Sequence, residues 1–177
     1  MGKKVIFGLN SPVDLLEKVI SERSEISTVS TDISNHYMVI NIILSVNHLF
    51  DWALKSEEYC LDKKKAIVVE LNPYSETERI PWDFKELYSQ IVPHPPVNKD
   101  QKLIRELSNN FKHFKQEKIN TRFSKKYLSV AGNMVAGGAT ACCGYYEEYG
   151  FFVDEGSSTI DLLASFDRSI SNWQAVI

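Results

Sequence analysis

The sequence predicts a mainly α protein, a helical bundle of four to five helices with a small antiparallel β-hairpin element before the C-terminal helix. Three observations carry this expectation. Apolar residues recur at helical spacing in successive stretches from Ser11 to about residue 118. After Asn120 the composition shifts to glycine, alanine and aromatic residues punctuated by turn signals. Helical periodicity then returns from about Ile160 to Ala175. A chain of 177 residues fits one domain, with a helical core over 30–118, the hairpin element over 121–157 and a terminal helix over 160–177.

Residues 3 to 8 suit a short strand or an extended arm. Ser11-Pro12 is a helix start, with serine as N-cap and proline at the first helical position. Val13, Leu16, Val19 and Ile20 share a face of that helix. Asp32 or Ser34 caps a second helix running to about Ser56, apolar on most sides and therefore central. The segment 55–65 reads as a charged connector, and 66–75 as a short extended piece ended by Asn72-Pro73. Pro81 opens a helix that ends at Pro93-His94-Pro95-Pro96. Asn98 caps the next helix, about 99 to 118, with its stripe at Leu103, Ile104, Leu107, Phe111 and Phe114. Two or three short strands follow, with turns at Gly137-Gly138 and at 154–156. In the last helix Leu163, Phe166, Ile170 and Trp173 fall on one side.

A net charge of −3 gives no bulk attraction to nucleic acid. The cysteines are Cys60, Cys142 and Cys143, an odd number with no metal-ligand spacing, which suits a reducing compartment. The N-terminus reaches Asn10, Pro12 and Asp14 too soon for a signal peptide, and Ile6 fails the myristoylation pattern. The apolar run 37–52 is broken by Asn41, Ser45, Asn47, His48 and Asp51, so no membrane span and a cytoplasmic location are expected.

The chemistry-bearing pattern lies on the 99–118 helix. Arg105, Asn109 and His113 are spaced i, i+4, i+8, along one side and away from the Leu107/Phe111 stripe. Lys102, Lys112 and Gln116 flank them. Nine basic residues against three acidic ones between 99 and 126 make a local charge of +6 on an acidic chain. Such a patch suits a phosphate site. Arg105 would hold the phosphate bidentately, a neutral His113 would move a proton, Asn109 would orient either, and Lys112 and Lys102 would add charge. The same residues also suit the ordinary solvated face of a helix.

The pairing of an apolar helix ending NHLFDWAL with a later RELSNNFKHFK helix resembles the HEPN-type superfamily of small helical bundles. The resemblance covers about residues 30 to 118. It implies a homodimer with the polar helix at its interface, a toxin or phage-defence setting, a partner antitoxin, and in active members a metal-independent RNase without cofactor. The family's signature places arginine directly before the Asn, His or Asp, with histidine four to six residues after the arginine. Here Ser108 occupies that place, and Arg105 stands one turn earlier with seven residues between it and His113.

A second constellation lies on the central helix. Asn41, Ser45 and His48 share a side, and Asn47 and Asp51 form an i, i+4 pair. In one reading Asp51, His48 and Asn47 support the imidazole of His113. In the other they form a satisfied core network that fixes helix register. His36, His48, His94 and His113 lack any metal motif, and the glycines of 131–144 lack a phosphate-loop pattern, so neither a metal nor a cofactor is expected. Cys142 and Cys143 have no evident base partner, so neither is a candidate nucleophile. Tyr145, Tyr146, Tyr149, Phe151 and Phe152 suit either base stacking or the core face of a hairpin. Two functions lead, ahead of a weaker third, a metal-dependent hydrolase in the bundle. One is binding of RNA or a nucleotide phosphate, extending to RNA cleavage. The other is a non-catalytic interaction or dimerisation module.

Overall fold

A computed structural model describes residues 9–28, 31–113, 120–128 and 146–177. Six α-helices occur in these residues: α1 (Pro12–Glu25), α2 (Ile33–Lys55), α3 (Leu61–Leu71), α4 (Lys85–Ser89), α5 (Lys99–His113) and α6 (Leu162–Val176). A single 3₁₀ turn, Trp82–Phe84, leads into α4. The strands are β1 (Asn120–Leu128), β2 (Tyr146–Glu155) and β3 (Ser158–Asp161), antiparallel in that order. The protein is mainly α, with its small sheet just before the last helix, as the sequence predicts.

The caps explain where helices begin. Ser11 and Asp14 form a reciprocal capping box: the Asp14 amide donates to Ser11 Oγ (3.2 Å) and the Ser11 amide to Asp14 Oδ2 (2.9 Å). Asp32 Oδ1 accepts from the Ser34 amide, and Asn98 Oδ1 from the Gln101 amide. Asp161 Oδ1 accepts from the amides of Leu163 and Ala164.

Helix α2 is the axis of the bundle. Ile42, Ile43, Val46 and Leu49 have no exposed surface. Its 23 residues match the expected extent and are long and apolar enough to cross a membrane by length and composition, contrary to the expectation from the interrupted run 37–52. Val39, Phe50, Ala53 and Leu54 are likewise buried, so its apolar sides serve as core of the bundle. Trp173 of α6 is fully buried against Phe50 and donates its indole N–H to Gln101 of α5 (3.3 Å). Arg168 of α6 reaches Asp100 of α5 through two hydrogen bonds, at 2.9 and 2.7 Å. Helices α5 and α6 are thus fastened at α5's first turn.

Helix α3 differs from the expected connector and extended segment. Ile67, Val68 and Leu71 fall on one side of it and are buried, where it packs on α6 and α2. The run Ile67-Val68-Val69 has strand propensity, but tertiary burial of one helical face outweighs it. The helix opened by Pro81 is shorter than expected and stops at Ser89, consistent with the restriction Pro93 imposes on its approach. The expected arm at 3–8, the turn at Gly137-Gly138, Cys142-Cys143 and the end of the helix beyond His113 lie outside the described residues.

In the sheet, Phe151 and Val153 alternate inward and are buried, while α6 packs on β2. Phe123 faces Phe151 across the β1–β2 ladder. Gly156 turns β2 into β3 at φ +60°, a conformation that glycine adopts without strain. At Gly150 a Cβ would meet the far edge of the Phe152 ring at 2.6 Å, so a larger residue there requires that ring to move.

Candidate functional site

The α5 helix carries the predicted residues, and the chain after α3 folds across it. Asn72 ends α3 and is fully buried. Its amide nitrogen donates to the carbonyls of Tyr74 and Pro95, both at 2.8 Å. Its Oδ1 accepts from the Tyr74 amide (2.9 Å) and from the Tyr88 hydroxyl (2.8 Å). His94 Nε2 lies 3.1 Å from the Tyr74 carbonyl, which fixes that nitrogen as the donor. The proline turn and the 72–75 segment are therefore tied together through one asparagine. The Asn98 amide, donating to the Asn72 carbonyl at 2.8 Å, carries the tie into the start of α5.

Arg105 enters this assembly from α5. Its side chain is 15% exposed and its guanidinium pairs with Glu78 Oε1. The guanidinium carbon lies 4.6 Å from the centre of the Tyr74 ring, a cation–π contact. Glu78 Oε2 accepts from the Ser75 amide (2.7 Å) and the Ser75 hydroxyl (3.0 Å). Burial raises the Glu78 pKa, but the hydrogen bonds from Ser75 and Arg105 and the arginine's charge outweigh it. The result is a fall from an ordinary 4.5 to about 2. Glu78 is thus a carboxylate at any physiological pH. Burial pushes the Tyr74 hydroxyl up against the opposing effect of Arg105, and it pushes Tyr88 far above its ordinary value. Both tyrosines stay protonated and act as hydrogen-bonding and packing groups.

The other predicted residues divide between two places. Asn109 and Lys112 are exposed on α5, one turn and two turns beyond Arg105. Lys102 pairs with Glu106 at 3.8 Å on the half-exposed side. It borders a cleft of about 410 Å³ where Lys99 and Lys102 face Glu106 and Glu155, a balanced charge that gives an anion no advantage. His113 is the last residue of α5, and its side chain lies outside the described residues. On α2, His48 and Asn41 are exposed and Asn47 is half-buried, so they do not form a buried core network. Ser45 is buried and accepts from Lys18 at 3.0 Å. Asp51 is half-buried and lies near enough for its charge to act on Tyr74 and on Lys55. Among the described residues, no group of three or more His, Cys, Asp or Glu is placed to hold a metal ion.

Glu78, Tyr74, Asn72 and Tyr88 are absent from the sequence reading of the site. One signal for Glu78 was present: Ser75-Glu76-Thr77-Glu78 has the Ser-x-x-Glu spacing of a capping box, here closing a turn. No protein-family model, curated protein or solved structure matches this chain.

Proposed function

We propose that this protein binds RNA or a nucleotide phosphate along the C-terminal half of α5, as a HEPN-like protein acting in the cytoplasm as a homodimer. The observation that supports this reading is the division of the basic residues of 99–126. Arg105 is neutralised by Glu78, whereas Asn109 and Lys112 on α5 are exposed and present a polar and a positive group to solvent. Arg122, also exposed, adds a guanidinium shared with Asp154. Lysine and asparagine side chains hold a phosphodiester backbone without sequence preference. Arg105 acts here as a positioning residue that keeps α5 and the 72–81 segment in register.

Cleavage is a further step in the same proposal. A metal-independent RNase would need His113 as proton carrier and would need Arg105 to exchange Glu78 for the phosphate. The test is RNA cleavage by the full chain in EDTA, comparing wild type with His113→Ala. Cleavage lost in the variant at an unchanged melting temperature supports an RNase of a toxin or defence system. Binding without cleavage supports the binding-only reading.

A second reading, a non-catalytic interaction or dimerisation module with a protein partner such as an antitoxin, draws on a different observation. Trp82 and Val92 are 82% and 89% exposed, either side of α4. An RNA-independent partner that covers these two residues would favour it.

A further inference from the structure

A cavity of about 280 Å³ lies between the first turns of α2, the end of α5 and the sheet. Its walls include Val39 and Ile43 of α2, Phe111 of α5, and Phe123 and Phe151 of the sheet. The lining is mostly apolar and opens to solvent on one side. Three polar residues break that pattern: Thr121 and Arg122 of β1, both exposed, and His36 of α2. His36 lies in the wall, packed edge-on to Phe123 (4.7 Å between ring centres) and Phe151 (5.1 Å). Its Nδ1 is buried and has no hydrogen-bond partner among the described residues. A buried unpaired ring nitrogen is costly, and native structures seldom keep one without a use.

We propose that this cavity binds a planar aromatic group of about two fused rings bearing one hydrogen-bonding substituent. This inference stands apart from the RNA reading. The size follows from comparison: a dry apolar cavity of about 150 Å³ takes one benzene ring, and this one holds about twice that. The shape follows from the phenylalanine rings, which favour stacked or edge-on aromatic partners. The hydrogen-bonding substituent follows from His36 Nδ1, the buried polar atom of the wall without a partner among the described residues, which offers a donor or an acceptor according to tautomer. The α2 wall also continues outward. Ile33, His36, Tyr37 and Ile40 form one stripe at helical spacing, and Ile33 and Tyr37 are 59% and 62% exposed. That outer α2 stripe is largely apolar, while the exposed part of the cavity's own lining includes Thr121 and Arg122. Two sources supply such a group, a free aromatic metabolite and a nucleobase.

The test is a titration of ¹⁵N-labelled full-length protein with 2-naphthol and, separately, with adenosine. The hydroxyl of 2-naphthol serves either role opposite Nδ1. Shift changes should concentrate at His36, Phe111, Phe123 and Phe151. His36→Phe keeps a ring in place but removes the nitrogen, and should weaken 2-naphthol about tenfold at an unchanged melting temperature. Val39→Phe should fill the cavity and abolish binding, with its fold checked by circular dichroism. Binding of both probes identifies a nucleobase-type ligand, and binding of 2-naphthol alone a free aromatic one. The proposal fails if neither probe shifts these amides, or if 2-naphthol binds both variants as it binds wild type.

Discussion

The two ends of α5 face opposite kinds of surroundings. Near its start, Asn72 satisfies the Tyr74 amide, the Tyr88 hydroxyl and two carbonyls, and Glu78 answers Arg105 and Ser75. Near its end, Phe111 borders an apolar cavity in which the one buried ring nitrogen, on His36, lacks a partner. A cluster rich in polar residues is here a structural lock in which most capacity is spent, Arg105 Nε being its buried donor without a partner among the described residues, and the His36 cavity is mostly hydrocarbon. Polar residue types alone do not mark a site. What matters is whether their hydrogen-bonding capacity is already spent within the fold.

Four stability experiments break or sharpen this contrast. The largest effect belongs to Asn72→Ala, which strands the Tyr74 amide, the Tyr88 hydroxyl and the Pro95 carbonyl in a buried place, while the Tyr74 carbonyl keeps His94. The substitution should cost about 3 kcal/mol by urea unfolding at pH 7, and a cost under about 1 kcal/mol would show that the lock is not one. Glu78→Gln should cost about 1.5 kcal/mol at pH 7, leaving Arg105 without its charge partner. The pH dependence has a definite sign. The Glu78 pKa is lower folded than unfolded, so its contribution is full above about pH 5 and is lost as pH falls toward 2. Wild type and Glu78→Gln should therefore converge in stability near pH 2, as read from denaturation midpoints across that range. Tyr88→Phe removes a single buried hydroxyl and should cost about 1 kcal/mol. His36→Phe, at the other end, removes a buried nitrogen that pairs with nothing described. It should be neutral or stabilising, within about 0.5 kcal/mol. A His36 substitution as costly as Tyr88→Phe would mean that the nitrogen is satisfied after all.

Much of the architecture was legible in the sequence, because periodicity and caps act locally. Ser11, Asp32 and Asn98 announce their helices, and the packed side of α6 follows from Leu163, Phe166 and Trp173. Helix α3 was hidden because Ile67 to Val69 favour a strand until α6 and α2 bury one helical face. The candidate site was half legible. The spacing of Arg105 and Asn109 places both on the less buried side of α5, but spacing is silent on Glu78, 27 residues away in sequence. The His36 cavity was less legible still, since its walls come from α2, α5 and the sheet, and only the fold assembles them.

The most direct test of the proposed function is binding of single-stranded RNA in EDTA at stepped salt, with wild type, Lys112→Glu and Glu78→Gln side by side. The account predicts that wild type binds and weakens as salt rises. Lys112→Glu should bind less and lower the salt slope by about 1, while Glu78→Gln stays within about twofold of wild type. No association at about 50 mM salt would contradict the proposal. Tighter binding by Glu78→Gln with Lys112→Glu unchanged would contradict the role given to Arg105 and make that arginine the phosphate clamp.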